Sequence, residues 1–343
     1  MNFTQSEIEK VEDTITSFPV NTEISVAKIT KGGPTFYGAV KSDNQVNSID
    51  NYESIFEIGS ISKVLTSSLL AKLVLDNGLD IDSPVNSVFP IKFHNNQEIS
   101  YKSLSTHTSG LPRLPNGVVW KALFNRKSNP YEGCNEPALI DYLQNRLKLK
   151  SKKSISYSNL GVGLLGVALE KFSGTPFSEL INDNVFAPLN MINSSISKKG
   201  RKGKFVQGLD NKGNASISWD LGYLASAGAV LSTIEDLTKF VIANFDGNHA
   251  FLEFQRKAAI EEKHECMSLG WFILDKARKG ERFYFHNGGT AGFSSAILMD
   301  IKRQNAFIIL SNISGLHKLK GQKIDKLIFS LMSELSNEVE VII

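Results

Sequence analysis

Cysteine is scarce. The 343-residue chain has two, Cys134 and Cys266, far apart and without CxxC spacing, which excludes a disulfide scaffold and a cysteine-rich zinc site but leaves one bridge open. A dominant charge is also missing: 38 Lys and Arg against 35 Asp and Glu leave +3, too even a balance to make nucleic acid the default partner. No stretch approaches the ~18 consecutive apolar residues that a membrane-spanning helix needs. The opening MNFTQSEIEKVEDTITSF carries charges every few residues and has no apolar core, so it does not read as a signal peptide. A cytoplasmic protein is the favoured expectation, although a periplasmic or secreted protein whose leader had been removed would read the same. Hydrophobic residues at 41% and charged residues at 21% exclude disordered and fibrous classes. At about 150 residues per domain, the length fits two domains or one with a large insertion.

What is present has a definite order. Ile8, Val11, Ile15 and Phe18 repeat at helical spacing and predict an amphipathic opening helix. EISVAKI (23–29) and TFYGAV (35–40), joined by Lys31-Gly32-Gly33-Pro34, read as paired strands. A third apolar segment, SIFEIG (54–59), leads into a long helix from about Ser60 to Asp76, with Asn77-Gly78 as its C-cap. Residues 79–240 are mostly helical in pattern, broken by loops rich in Ser, Asn, Gly and Pro. The period then changes: 268–274, 282–288, 293–299 and 306–312 are strand-like, separated by short charged turns. Ile324, Leu327, Ile328, Leu331 and Leu335 form a closing apolar helix stripe. The expected fold is α/β of the α+β type, an antiparallel sheet flanked by N- and C-terminal helices with a mainly helical insertion. The sheet domain would comprise 1–78 and 241–343 and the helical domain 79–240, with the active site in the cleft between them.

Three short motifs carry the chemistry. In Ser60-Ile61-Ser62-Lys63, residues i and i+3 share a helix face about 5–6 Å apart, bringing a hydroxyl and an amine together. Serine needs an adjacent base to become a nucleophile, and a buried lysine with a lowered pKa can serve. The helix N-terminus adds backbone N–H groups suited to an oxyanion. By itself the S-x-x-K pattern is cheap. Tyr157-Ser158-Asn159 supplies a proton shuttle and an amide able to hold both a lysine and a substrate carbonyl. His286-Asn287-Gly288-Gly289 ends a predicted strand; its glycines let a substrate approach the backbone, and the Gly289 N–H would face an oxyanion.

In order and spacing these motifs resemble those of the penicillin-recognising serine hydrolases, in particular the group of class C β-lactamases, DD-peptidases, D-aminopeptidases and esterases. FEIGSISKVLTSSLLAKLVLDNGLDIDSPV, THTSGLP (106–112), YSNLGVGLLGVALEKFSG and AGAVLSTIEDLTKF (227–240) extend the likeness over most of the chain. The resemblance implies an acyl-enzyme on Ser60, with Lys63 and Tyr157 as the proton-transfer pair, which of the two is the base being left open. It also implies an oxyanion site at the N–H groups of Ser60 and Gly289 beside Gly288, with Asn159 fixing Lys63 and the acyl side chain. Class C β-lactamases carry Y-A-N and K-T-G where this chain has Tyr-Ser-Asn and His-Asn-Gly. Asn287 therefore replaces the hydroxyl that usually meets a substrate carboxylate. His286 in the lysine's place would carry charge only below about pH ~6.5. The implied substrate is a small molecule or peptide with an acyl-donating carbonyl, an amide or ester more readily than a β-lactam. Alternatives are a carboxylesterase or acyltransferase using the same residues, and an acylated binding or sensor protein that never turns over. No cofactor, metal, nucleic acid or membrane span is called for.

Other motifs read as structural. Gly161-Val162-Gly163-Leu164-Leu165-Gly166 matches the dinucleotide G-x-G-x-x-G pattern but follows no strand, so close helix packing explains it. The basic run Lys198, Lys199, Arg201, Lys202, Lys204 reads as a solvated loop. His264-Glu265-Cys266 lacks a second ligand cluster. His107 reads as positioning a loop near the cleft, and His94, His249 and His317 carry no signal.

Overall fold

Strands from the two ends of the chain meet edge to edge. In the computed structural model, which describes residues 2–115, 129–151, 154–200, 202–262, 265–276, 281–316 and 318–336, β1 (Glu23–Thr30) pairs antiparallel with β11 (Asn305–Ser311), Val26 opposite Ile309. Beyond β1 lie β2 (Gly33–Ser42) and β3 (Gln45–Ser48), a short edge strand not expected from the sequence. Beyond β11 follow β10 (Ser294–Asp300), β9 (Glu281–Gly289), β8 (Phe272–Lys276), β7 (Cys266–Met267) and β6 (Ile260–Glu261). Among the described residues the sheet thus has nine strands, in the order β3-β2-β1-β11-β10-β9-β8-β7-β6. SIFEIG does not join it. Its β4 (Phe56–Glu57) pairs instead with β5 (Leu231–Ser232) in a separate two-stranded ladder.

The central strands are apolar on both faces because helices cover both. Phe307 and Ile309 face one side, and Ile308 and Leu310 the other, as the two-residue period of a strand requires. The first face is covered by α1 (Gln5–Thr16), through Val11 and Ile15, and by the C-terminal helix α10 (Lys318–Ser336), through Ile324, Leu327, Ile328 and Leu331. Glu7 ties α1 to the sheet, accepting hydrogen bonds from the buried Lys28 Nζ at 2.7 and 2.8 Å. The opposite face meets α2 (Ser62–Asn77) and α8 (Ile234–Phe245). Helix α8, divided at residue 241 by the boundary expected from sequence, packs as one piece on β1 and β11. The sheet layer therefore takes in α8 from its start at Ile234, because its apolar stripe of Leu237, Phe240 and Val241 is continuous.

Between α2 and α8 lie α3 (Tyr101–Ser105), α4 (Glu136–Asp141), α5 (Asn159–Ser173), α6 (Phe177–Ile181) and the single turn α7 (Ala225–Gly228), and α9 (Ala250–Lys257) follows α8. Among the described residues no helix is long and apolar enough to cross a membrane. The G-x-G-x-x-G run sits inside α5, where a Cβ on Gly163 would stand 2.6 Å from Leu224 Cδ2 and one on Gly166 would collide with the Ser226 side chain. Packing, not nucleotide binding, accounts for these glycines. Gly166→Ala should cost about 1–3 kcal/mol, the usual penalty of overpacking, and should displace α7. Urea unfolding checks this: a variant as stable as the parent would mean that α7 gives way freely.

Candidate active site

Ser60 lies in a single 3-10 turn, Gly59–Ile61, that leads into α2. Three contacts hold this turn. The Ile58 N–H donates to Val230 O, the Val230 N–H donates to Ser62 Oγ at 3.0 Å, and Ser62 Oγ donates to Gly59 O at 2.6 Å. On the other side it presses on β9. Gly59 has φ +51, and a Cβ there would stand 2.8 Å from the Gly289 N; a Cβ on Gly288 would stand 3.0 Å from the Ser60 N. Only glycine permits this approach, which sets the turn that carries Ser60 directly against Gly288 and Gly289.

Lys63, in the first turn of α2, is completely buried. Its Nζ donates to Ser60 Oγ at 2.9 Å and to the Ala227 carbonyl at 2.7 Å, and sits 4.8 Å from the centre of the Tyr157 ring. Burial, reinforced by the positive charge of Arg113, holds its amine well below the ordinary lysine range. Tyr157 packs between His107, 4.6 Å between ring centres, and Phe272, stacked at 6.2 Å. Burial pushes its phenol above the ordinary tyrosine range, opposed by a hydrogen bond with Ser60.

Tyr157-Ser158-Asn159 is set by the loop 107–113. The Ser156 N–H donates to His107 O, the Ser158 N–H to His107 Nδ1, Ser158 Oγ to Pro112 O, and the Asn159 N–H to Arg113 O at 2.9 Å. His107 takes a left-handed φ of +58 to do this, in keeping with the positioning role expected for it. Ser158 then caps α5 by accepting from the Gly161 N–H. Asn159 does not reach the lysine as expected. Lys63 spends its bonds on Ser60 and Ala227, which α7 brings nearer, and Asn159 Oδ1 is buried without a partner among the described residues.

His286 also departs from expectation. It is 0% exposed, beneath Tyr157 and Phe272, and does not line the cleft. Its Nδ1–H donates to the Asn287 carbonyl, and Nε2 has no partner among the described residues. Burial and the neighbouring Lys63 push its pKa down to about 3, so it stays neutral where a titration near 6.5 was expected. It cannot supply the positive charge of a motif lysine.

The cleft has a volume of about 570 Å³ and is lined by Ser60, Tyr157, Asn159, Gly288 and Gly289 together with Tyr131, Trp219, Leu221 and Leu224. Arg113 and Asp325 line it too, and neither was singled out in the sequence. Arg113 directly follows the THTSGLP segment, and its guanidinium lies 5.2 Å from the Tyr157 ring centre. Asp325 occupies the polar side of the C-terminal helix stripe, and only the fold turns it to the cleft. Cys134 is buried and Cys266 lies on β7, and the two are not bridged to each other; His264, His317 and Arg201 lie outside the described residues. Lys198, Lys199, Lys202 and Lys204 are exposed, the solvated loop expected of them.

The depressed histidine has a consequence for stability. The unfolded chain binds the His286 proton at 6.5 and the fold only at about 3, so the unfolded state holds more protons in that interval and stability falls as pH drops through it. The contribution approaches about 1.4 kcal/mol per pH unit. In urea unfolding from neutral pH downward, His286→Gln should lose stability less steeply than the parent. Equal slopes would locate the acid sensitivity elsewhere.

Comparison with known proteins agrees with this architecture. A beta-lactamase family model matches residues 21–327. Protein flp of Staphylococcus aureus (strain N315) is 23% identical over 334 residues, covering 90% of this chain, which spans only 62% of flp. The D-alanyl-D-alanine-carboxypeptidase/endopeptidase AmpH of Escherichia coli (strain K12) is 24% identical over 332 residues, 90% of this chain and 82% of AmpH. Among solved structures, a class C beta lactamase from Rhodobacter sphaeroides superposes with a TM-score of 0.78 at 17% identity, over 96% of this chain and 99% of its own. The octameric penicillin-binding protein homologue from Pyrococcus abyssi gives 0.77 at 22% identity, over 96% and 76%. The motif order, the sheet that joins both ends of the chain, and a family match over most of its length lead to one conclusion: the chain belongs to the beta-lactamase family.

Proposed function

We propose that the chain is a serine hydrolase that cleaves amide or ester bonds through an acyl-enzyme on Ser60. The observation that carries this reading is the 2.9 Å contact between Ser60 Oγ and the buried Nζ of Lys63. An amine held below its ordinary range is available neutral, and so can take the serine proton during attack. Tyr157, held above its range, stays protonated; it donates to the leaving group. This division of labour makes Lys63 the base and Tyr157 the acid. The N–H groups of Ser60 and Gly289 would receive the oxyanion, where preorganised donors act most strongly. Asn159 Oδ1, without a partner among the described residues, would accept an N–H from an acyl-side amide.

A peptide substrate draws support from the similarity to AmpH, a D-alanyl-D-alanine-carboxypeptidase/endopeptidase. A carboxylesterase or acyltransferase draws support from the apolar wall of Trp219, Leu221 and Leu224, which suits an acyl chain or aromatic alcohol.

Intact-mass spectrometry after exposure to β-lactams, D-Ala-D-Ala peptides and p-nitrophenyl esters tests the reading and separates these substrates. One acyl mass should appear on the parent and vanish from Ser60→Ala. Lys63→Ala should slow acylation by roughly 10²–10⁴-fold, and the double variant should be no worse than the worse single one, because the two act as a unit. An undiminished adduct on Ser60→Ala would overturn the assignment.

A further inference from the structure

The cleft walls carry two charged side chains among the described residues, Arg113 and Asp325. They do not neutralise each other. The charge of Arg113 is felt by Lys63, His107 and Tyr157, whereas burial and Asn287 alone set the surroundings of Asp325. Asn287, the residue after His286 on β9, donates its Nδ2–H to Asp325 Oδ2 at 2.9 Å. That bond takes one of the two Nδ2 hydrogens and turns Asn287 to the carboxylate, leaving one amide N–H beside an amide oxygen and a carboxylate, so acceptors outnumber donors there. Among the described residues no Lys, Arg or His forms an ion pair with Asp325. A half-buried carboxylate lining a cavity without a cation is a site that lacks its counter-charge.

We propose that Asp325, held by Asn287, makes this end of the cleft a subsite for a cationic group, an ammonium or guanidinium on the substrate, and turns away substrates that place a carboxylate there. Burial raises the Asp325 carboxyl to about 6, so it is mostly ionised at neutral pH, and a bound cation would favour its charged form further. The substrate class narrows accordingly to amides or esters bearing a basic group, with the cation along α10 and any anionic group at the Arg113 end.

The inference rests on the acyl-hydrolase reading for its substrates but not for its charge preference, and the experiment separates the two. kcat/KM is measured for matched phenyl esters carrying a trimethylammonio, a neutral or a carboxylate substituent, on the phenol in one series and on the acyl chain in the other. Comparing the ratios in the parent and in Asp325→Asn cancels intrinsic reactivity, and Asn keeps an oxygen for the Asn287 bond. In at least one series, the cationic-to-anionic preference should fall on the order of tenfold in the variant, and high salt should narrow it in the parent. In parallel, binding of benzyltrimethylammonium and benzoate to Ser60→Ala is followed by NMR titration, with and without Asp325→Asn. The cation should bind better, and only while Asp325 is present. Absence of ester turnover with this binding pattern intact would fail the hydrolase reading and leave the subsite standing. Unchanged ester ratios in both series, or benzoate bound as well as the cation, would overturn the subsite.

Discussion

The site depends on one buried amine. Lys63 sits without solvent, and its nitrogen is shared between the Ser60 hydroxyl and the Ala227 carbonyl. That carbonyl is available because α7 is a single turn pressed against α5, where Gly166 lets Ser226 come close and donate to Val162 O at 2.8 Å. Thr66, one turn further along α2, donates to Ser226 O at 2.7 Å. The amine is thereby fixed by two helices from distant parts of the chain. A hydrocarbon in its place would leave the Ala227 carbonyl buried and unpaired.

Around this amine the two neighbouring imidazoles are kept neutral. His107 receives a backbone N–H on Nδ1, and His286 gives its Nδ1–H to a backbone carbonyl, so each ring is locked in one tautomer by the main chain. Both lie far from solvent, and burial together with the neighbouring Lys63 disfavours the protonated form of each. The two imidazoles thus give the Tyr157 phenol a polar but uncharged surround. Arg113, at the exposed rim, adds a fixed positive field that favours the neutral lysine.

The fold was legible because it rests on local pattern: short apolar runs bounded by turns in β1, β10 and β11, helical stripes in α1 and α10, and a cap at Gly78. The motif residues were legible because S-x-x-K fixes its own geometry through the helix repeat. Partners contributed by distant segments were not. Ala227 acts through a backbone carbonyl, which any residue type possesses. Asp325 belongs to a surface-looking pattern until α10 is laid against β9. The burial of His286 depends on Phe272 and Tyr157 closing over it, and strand position alone says only that it alternates with Phe285 and Asn287. The two-residue strand β4 likewise needs its mate β5, from a distant part of the chain, to exist at all.

The opening helix illustrates how a recognisable family core and a self-sufficient folding unit differ. The family match begins at residue 21, yet α1, at 5–16, is the lid over β1 and the partner of α10. A chain trimmed to the matched segment would keep all three motifs and lose the roof of its second core. Lys28, a strand residue inside that segment, would then have no Glu7 to answer its charge. Val26, Phe307 and Ile309 would lose the cover that Val11 and Ile15 give them. The trimmed protein would present an oily, charged-at-the-centre sheet face, the kind of surface that invites association between copies. For this chain, the first twenty residues are part of the minimum that has to be expressed.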